Sequence, residues 1–451
     1  MRKFSLLAVI TTAILILTGC AQLPRSSDVK TGPDLKSSLT SDYLYYSPSG
    51  PTQGDDQQQI INGFLNAATG PQNDYQIARE YLTAKFSGKW SPNDEVLIQE
   101  SRPELISQGD TAARLVVKAI AQIDNVGQWT SLPGGQIRNL DFTLEKENNE
   151  WRISSAPNAT VLVKPVFDVL FKSYSLYFYD GQNKYLVPDL RWFSSRVSTG
   201  TRLVNALLKG PNRWLSETVS NSFPVGTKLA LDAVTVENGT AVVDLNAAAT
   251  KADKAARSRM LSQLTATLNQ LPNVFSVRIQ IDHNPQDIAL QNSQLPYPSS
   301  YVPMLLDAEG IRQVSQDPQN DKVSAIAKRL RATDFGFSPD GNYLALSSAS
   351  GIDLARVSTQ NSDLTRIDSR TGQLAPVIDN RSQIWTLPTK SSEGIQVHDV
   401  TGKLLFGSTG WLGQGDHLGF GISREGARIA VLLKTKNGTA LYVASIKRDE
   451  Q

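Results

Sequence analysis

A single cysteine, Cys20, among 451 residues is the tightest constraint on how this chain holds itself together. One thiol cannot form an internal disulfide, a CxxC redox pair or a Cys-based zinc site, so each domain must be stabilised by its own apolar core. The length permits this, since at ~150 residues per domain it corresponds to about three domains. Hydrophobic and charged fractions of 40% and 20% are those of globular protein and exclude wholesale disorder. With 45 Lys and Arg against 43 Asp and Glu, the net charge is +2. Nucleic-acid binding usually needs a strongly basic face, and no nucleic-acid partner is expected.

The place of that cysteine says more than its count. Arg2 and Lys3 precede an apolar stretch, Phe4 to Leu17, broken only by Ser5, Thr11 and Thr12. This is the layout of an export signal and falls short of the ~20 residues of a spanning helix. It ends in Leu17-Thr18-Gly19-Cys20, which resembles the lipobox of bacterial lipoproteins. The resemblance implies cleavage before Cys20, a diacylglycerol on its sulfur, an N-acyl chain on its amine, and anchoring on the outer face of the cytoplasmic membrane. Paired acyl chains hold stably where one does not. Loss of Arg2 and Lys3 lowers the basic count to 43, equal to the acidic count. Residues 1–19 are read as the signal peptide. Residues 20–42, rich in Ser and lacking apolar periodicity, are read as a flexible tether. The best later candidate for a span, Val161 to Tyr179, carries Lys164, Pro165, Asp168 and Lys172, too polar to cross.

Residues 43–165 read as an α+β domain. Ile60, Ile61, Phe64, Leu65 and Ala68 make one helix face that stops at Gly70-Pro71. Asp74 is placed to N-cap a second helix turning Tyr75, Ala78, Tyr81, Leu82 and Phe86 inward. The pattern then changes to period two, which predicts that Leu115, Val117, Ala119, Ala121 and Ile123 share one strand face. A hairpin across Asn148-Asn149 is expected to bury Leu140, Phe142, Leu144, Trp151 and Ile153. Helices laid on an antiparallel sheet in this way resemble the NTF2-like folds.

Residues 174–284 alternate strands and helices. Ser175–Tyr179 and Tyr185–Leu190 read as strands, and Thr201–Leu208 as a helix stopped at Gly210-Pro211. Val234–Asp244 is a hairpin turning at Asn238-Gly239, whose residue types suit positive φ. A long helix from Thr250 to about Gln270 carries Leu261, Leu264, Leu268 and Leu271 on one stripe, and Pro272 ends it before a strand at Val274–Ile281. Leu207-Leu208-Lys209-Gly210-Pro211, Phe223-Pro224-Val225-Gly226-Thr227, Ala241-Val242-Val243-Asp244-Leu245 and Gln263-Leu264-Thr265-Ala266-Thr267-Leu268 stand in the order seen in GerMN domains. This stretch therefore resembles an α/β GerMN domain. The module is not associated with enzymatic activity, which implies a structural role for these motifs.

Residues 297–451 contain a repeat. Phe337-Ser338-Pro339-Asp340-Gly341-Asn342-Tyr343-Leu344-Ala345 is echoed 85 residues later by Ile422-Ser423-Arg424-Glu425-Gly426-Ala427-Arg428-Ile429-Ala430. That separation is two periods of ~42, the spacing of propeller blades. A degenerate copy is expected near Asp379–Leu387. The Ser-x-Asp/Glu-Gly element reads as a tight turn with Gly at an unusual backbone angle. About 150 residues supply three to three and a half blades, so a partial all-β propeller is expected, short of the four needed to close. A truncated form is preferred over an open one, because an open blade edge leaves backbone unpaired. Lipoprotein signal, α+β domain, GerMN and propeller repeats, in that order, resemble the LpqB lipoproteins of actinobacteria. The resemblance implies a partner, the ectodomain of the MtrB sensor histidine kinase, and a role in modulating its signalling to the MtrA regulator.

Catalytic chemistry leaves little trace. His283, His398 and His417 are too far apart for HExxH or local metal spacing, and no GxSxG, Walker or SxxK element occurs. Asp282-His283 reads as a surface turn. Gly413–Gly419 precedes a strand-like run, not the helix that a phosphate loop requires. Asp55-Asp56 and Asp94-Glu95 are adjacent carboxylates that read as solvated surface. No catalytic residue, metal or cofactor is expected beyond the lipid on Cys20. Two features are candidate partner contacts. Lys251, Lys254 and Arg257 recur at i+3 along the start of the long helix, and Trp192 and Phe193 face opposite ways in an extended segment. The reading favoured is a membrane-anchored accessory protein contributing to cell-envelope homeostasis. The alternatives are a glycan-binding or peptidoglycan-remodelling protein and a structural envelope scaffold.

Overall fold

The computed structural model describes residues 48–196, 198–231, 233–290, 303–308, 310–313, 322–357 and 364–448. The first helix, α1 (Gln57–Ala67), is set by a capping box. Asp56 accepts from the Gln59 amide while the Gln59 side chain accepts from the Asp56 amide, which satisfies two otherwise orphaned donors. Ile60, Ile61, Phe64 and Ala67 are buried beneath it. The second helix differs from expectation. Asn73, Asp74 and Tyr75 all take left-handed backbone angles, with φ of 46°, 54° and 59°, and the N-cap position falls on Tyr75, not Asp74, with no side-chain cap bond. The Asp74 carboxylate instead pairs with Arg79 at 2.8 Å. Two short helices follow, α2 (Gln76–Glu80) and α3 (Ala84–Ser87), the latter capped by Thr83.

These helices pack on a sheet of β1 (Glu95–Gln99), β2 (Glu104–Ser107), β3 (Ala112–Asp124), β4 (Trp129–Glu147), β5 (Glu150–Ser155) and β6 (Ala159–Val163). The order is β5-β4-β3-β1-β6, with β2 also against β3. The β4–β5 hairpin turns at Asn148 and Asn149, both at positive φ, as its residue types require. The single face expected along β3 is broken by a bulge. Ile98 pairs with Ala121 but Gln99 with Ala119, leaving Ile120 as an extra residue. One inserted residue reverses the parity of everything beyond it. Leu115, Val117 and Ala119 therefore join the helix-side core, while Ala121 and Ile123 face the other way, with Val96, Ile98, Phe167 and Phe171. One strand serves two cores.

A short helix, α4 (Lys164–Leu170), leads into the second body. There β7 (Phe171–Asp180) pairs with β8 (Leu186–Ser194) and β9 (Val219–Ser220). Helix α5 (Thr199–Lys209) ends at Gly210, whose φ of 101° suits only glycine,. A second sheet runs β10 (Thr235–Glu237), β11 (Thr240–Leu245), β12 (Ser276–Ile281) and β13 (Asn284–Pro285). Parallel β11 and β12 are joined by helix α6 (Lys254–Leu268), since parallel neighbours need a crossover. This helix starts later than the sequence implies, because a 3-10 turn occupies Ala247–Lys251 and Asp253 is the N-cap, its side chain accepting from the Ala256 amide. Leu261, Leu264 and Leu268 are buried as expected.

A polar stripe on α6 accompanies that apolar one. Gln263 and Gln270 hydrogen-bond the backbones of Tyr177 and Ser175, and Thr267 accepts from the Tyr177 amide. Since β9 covers only Tyr179 and Asp180, these side chains stand in for a missing strand along β7.

The described residues of the third region form a hairpin, β14 (Met304–Asp307) with β15 (Gly310–Gln313), a helix α7 (Lys322–Leu330), and three antiparallel meanders. The meanders are β16 to β19 (Asp334–Phe337, Tyr343–Ser348, Gly351–Arg356, Thr365–Asp368), β20 to β23 (Val377–Ile378, Ile384–Thr386, Ile395–His398, Leu404–Ser408) and β24 to β26 (Asp416–Ile422, Arg428–Thr435, Gly438–Ser445). They pack face to face. Ala345 and Leu354 meet Ile378 and Ile384, and Val397 and Ile395 meet Val431 and Leu433. The repeated turns match bond for bond. Gly341 donates to the Ser338 carbonyl and Gly426 to that of Ser423, with φ of 74° and 73°. In both, the serine hydroxyl accepts an amide five residues on. In the middle copy Asp379 replaces the serine, accepting from Gln383, and Ser382 at φ 58° replaces the glycine.

Candidate functional site

The first two bodies meet in an aromatic joint. Trp129, from the start of β4, lies 5.5 Å from Phe167 of α4 and 5.7 Å from Trp192 of β8. Phe167 also packs on Trp192 and stacks on Phe171 at 5.0 Å. Such pairs contribute roughly 0.5–1.5 kcal/mol each beyond the area they bury. From the other side, the turn between β3 and β4 inserts into the second body, where Val126 packs on its core. The Trp192 amide donates to the Gly127 carbonyl at 2.7 Å. Gly127 has φ 80°, and a Cβ there would lie 2.7 Å from Phe193 Cζ, so close approach and backbone angle both demand glycine.

Charge is placed at this joint with few counter-ions. Arg191, fully buried on β8, pairs with Asp189 at 2.7 Å and donates to the Val126 carbonyl across the joint. Asp189 also accepts from the Asn212 amide. Arg196 reaches back to the first body, donating to Asn93 Oδ1 at 3.0 Å and lying 5.7 Å over the Tyr75 ring. Arg202 lies 4.9 Å over the Phe193 ring. Burial, with repulsion from Arg196, lowers its guanidinium to about 10, because both effects disfavour the charged form.

The residues singled out from sequence fare differently. Leu17, Thr18, Gly19 and Cys20 lie outside the described residues. Phe193 is 1% exposed in the second body's core, and Trp192 is half-buried in the joint. The pair is therefore an internal connection and not an exposed anchor, since alternation on β8 sends one ring into each body. Lys251 and Lys254 are exposed, but the first lies in the 3-10 turn and the second opens α6. Arg257 is held to the carbonyls of Ala252 and Thr250 and staples that junction.

His283 contacts buried Asp244 at 2.6 Å instead of its neighbour Asp282. His398 and His417 bond to backbone carbonyls. Asp56 caps α1, Asp94 accepts from Ser91 and Asn158, and Glu95 pairs with Arg138. Gly413 and Gly415 precede β24. Among the described residues, no three His, Cys, Asp or Glu side chains converge as a metal site. A cavity of 590 Å³ beside α7 sets Asp307 and Asp334 against Lys328 and Arg331, so its charge is balanced. Sequence reasoning missed Trp129, Arg191, Arg196 and Arg202. For the three arginines the only trace is the density of Arg and aromatic residues over positions 189–202.

Comparison with known proteins fits this architecture. The family described as Lipoprotein LpqB, N-terminal domain matches residues 50–168, and the family described as Sporulation and spore germination matches residues 175–287. A Lipoprotein LpqB from Bifidobacterium longum is 24% identical over 456 residues, covering 96% of this chain and 77% of its own. Another, from Thermobifida fusca, is 30% identical over 291 residues, covering 61% of this chain and 46% of its own. Among solved structures, the first GerMN domain of the sporulation protein GerM from Bacillus subtilis is 21% identical, with a TM-score of 0.23, covering 28% of this chain and 94% of that one. The molecule is thus a multidomain α+β protein built around a GerMN domain. It is similar to LpqB lipoproteins over most of its length, and its first domain matches their N-terminal domain.

Proposed function

We propose that this protein is a lipid-anchored accessory factor on the outer face of the cytoplasmic membrane that acts by binding, not by catalysis. Its partner in this reading is the ectodomain of an MtrB-like sensor histidine kinase. The observation that carries the reading is the aromatic joint, which packs the first two domains against each other and so presents one composite surface to a partner. Similarity to LpqB lipoproteins and Leu17-Thr18-Gly19-Cys20 support the anchor. Confinement to the membrane plane raises effective concentration, so weak contacts become productive. To shift the kinase's output, the protein must bind one of its states better than another. Within the same reading, the first domain is taken as NTF2-like and the three meanders as blades of a partial β-propeller.

Co-purification of the full chain with the kinase ectodomain tests the proposal. Association is expected, and its absence on the order of tens of micromolar overturns the partner. Cys20→Ser is expected to release the protein into the medium, and persistent membrane association of that variant overturns the anchor.

A further inference from the structure

We propose that Arg196 and Arg202 form a binding site for a phosphate group at the joint between the first two domains, independent of the kinase reading. Both side chains are half-buried, at the junction of β8 and α5. Arg196 donates to Asn93 Oδ1, which also accepts from the Tyr75 hydroxyl at 3.3 Å, and reaches the Pro71 carbonyl at 3.5 Å. Its Nε is buried with no hydrogen-bond partner. Arg202 donates to Ser194 Oγ at 3.3 Å, with Phe193 beneath its guanidinium.

No carboxylate among the described residues pairs with either arginine. The acids flanking their partners are committed elsewhere, Asp74 to Arg79, Asp94 to Ser91 and Asn158, and Asp189 to Arg191. Four other partly buried arginines do have a carboxylate, in Arg138–Glu95, Arg370–Asp368, Arg428–Glu425 and Arg448–Asp379. Burial of Arg202 and the like charge of Arg196 both disfavour its cation, so an anion bound there would be favourable. A planar guanidinium fork suits two oxygens of a tetrahedral phosphate, which it can hold bidentately. The left-handed run Asn73–Tyr75 shapes the wall opposite, and such strain concentrates at functional sites,.

The source of the phosphate, free ion or lipid headgroup, is separated by two measurements on the full chain carrying Cys20→Ser, which removes the anchor. In the first, melting temperature is followed against inorganic phosphate, with chloride at matched ionic strength as control. In the second, the protein is sedimented with phosphatidylglycerol or phosphatidylcholine vesicles. A phosphate-dependent rise in melting temperature, or sedimentation with phosphatidylglycerol alone, supports the site and names its source. Either response must then weaken by about tenfold or more in apparent affinity in Arg196→Met and Arg202→Met. Arg202→Lys, which keeps the charge but not the fork, guards against loss of fold and should bind more weakly than the parent. Absence of both responses, or responses that survive both methionine substitutions, overturns the proposal.

Discussion

The two places where the second body meets its neighbours are built on different physics. Toward the first domain it shares apolar cores. Val126 packs into the second body's cluster, and Trp192 and Phe171 pack into the cluster of Val96, Ile98 and Ile123. Toward the third region it offers polar contacts. Arg428 donates to the Pro188 carbonyl at 3.3 Å, and Lys447 meets Glu217 at 3.2 Å. The apolar clusters of the third region are drawn wholly from its own residues. Burial of apolar area stabilises by about 25 cal/mol per Å² and cannot be screened, whereas exposed ion pairs contribute about 0–1 kcal/mol. The first two domains are therefore coupled by apolar burial, and the contacts to the third are of a kind that salt weakens.

The sharpest break of this contrast is Arg191→Ala. It leaves Asp189 buried without its cation, and a loss of about 3–5 kcal/mol is expected. Urea unfolding followed by tryptophan fluorescence should report it. A small effect there would mean that the joint is not held through Arg191. Gly127→Ala should cost about 1–3 kcal/mol, because the new methyl meets Phe193 and the backbone must hold φ 80°. Hydrogen exchange should then quicken on both sides of the joint together, and quickening on one side alone would refute that coupling.

The third region's internal link is titratable. Asp368 is lowered below the usual carboxylate range. Burial by itself raises it, but hydrogen bonds from Arg370 and Thr386, across the first two meanders, outweigh that effect. A depressed native value means that the stabilisation is present above the unfolded value of about 3.9 and is lost as pH falls through the lower native one. Asp368→Asn should flatten acid denaturation of this region in that window, and an unchanged profile would remove Asp368 from the link. Lys447→Ala is expected to be nearly silent, below about 0.5 kcal/mol, since both members of its pair are mostly exposed, at 63% and 72%. A larger melting shift would show that the second contact surface is stronger than its chemistry implies.

Local chemistry was legible in the sequence. Asn148-Asn149 and Asn238-Gly239 turned where their residue types allow positive φ. The apolar face of α1 was buried. The Ser-x-Asp/Glu-Gly repeat formed two matching turns with a degenerate third at Asp379. Each of these depends on a few consecutive residues. The bulge at Ile120 did not show, because period two runs unbroken through it and only pairing with Gln99 reveals the extra residue. The left-handed run at Asn73–Tyr75 was hidden by an apolar pattern that fits a helix equally well. The stripe of Gln263, Thr267 and Gln270 was visible as spacing, but its use depended on how little of β7 another strand covers.

By itself, the sequence determined that one cysteine leaves each domain to its own apolar core, where the Asn148-Asn149 and Asn238-Gly239 hairpins turn, and that the last region repeats one turn. Capping, turn propensity and periodicity act over a few residues, so composition and order suffice for them. Only the tertiary structure decided that Trp192 and Phe193 divide between two bodies, that Arg191 bridges them, and that no carboxylate among the described residues pairs with Arg196 or Arg202. Those outcomes rest on contacts between segments distant in the chain, where burial and charge take effect only once the bodies have docked.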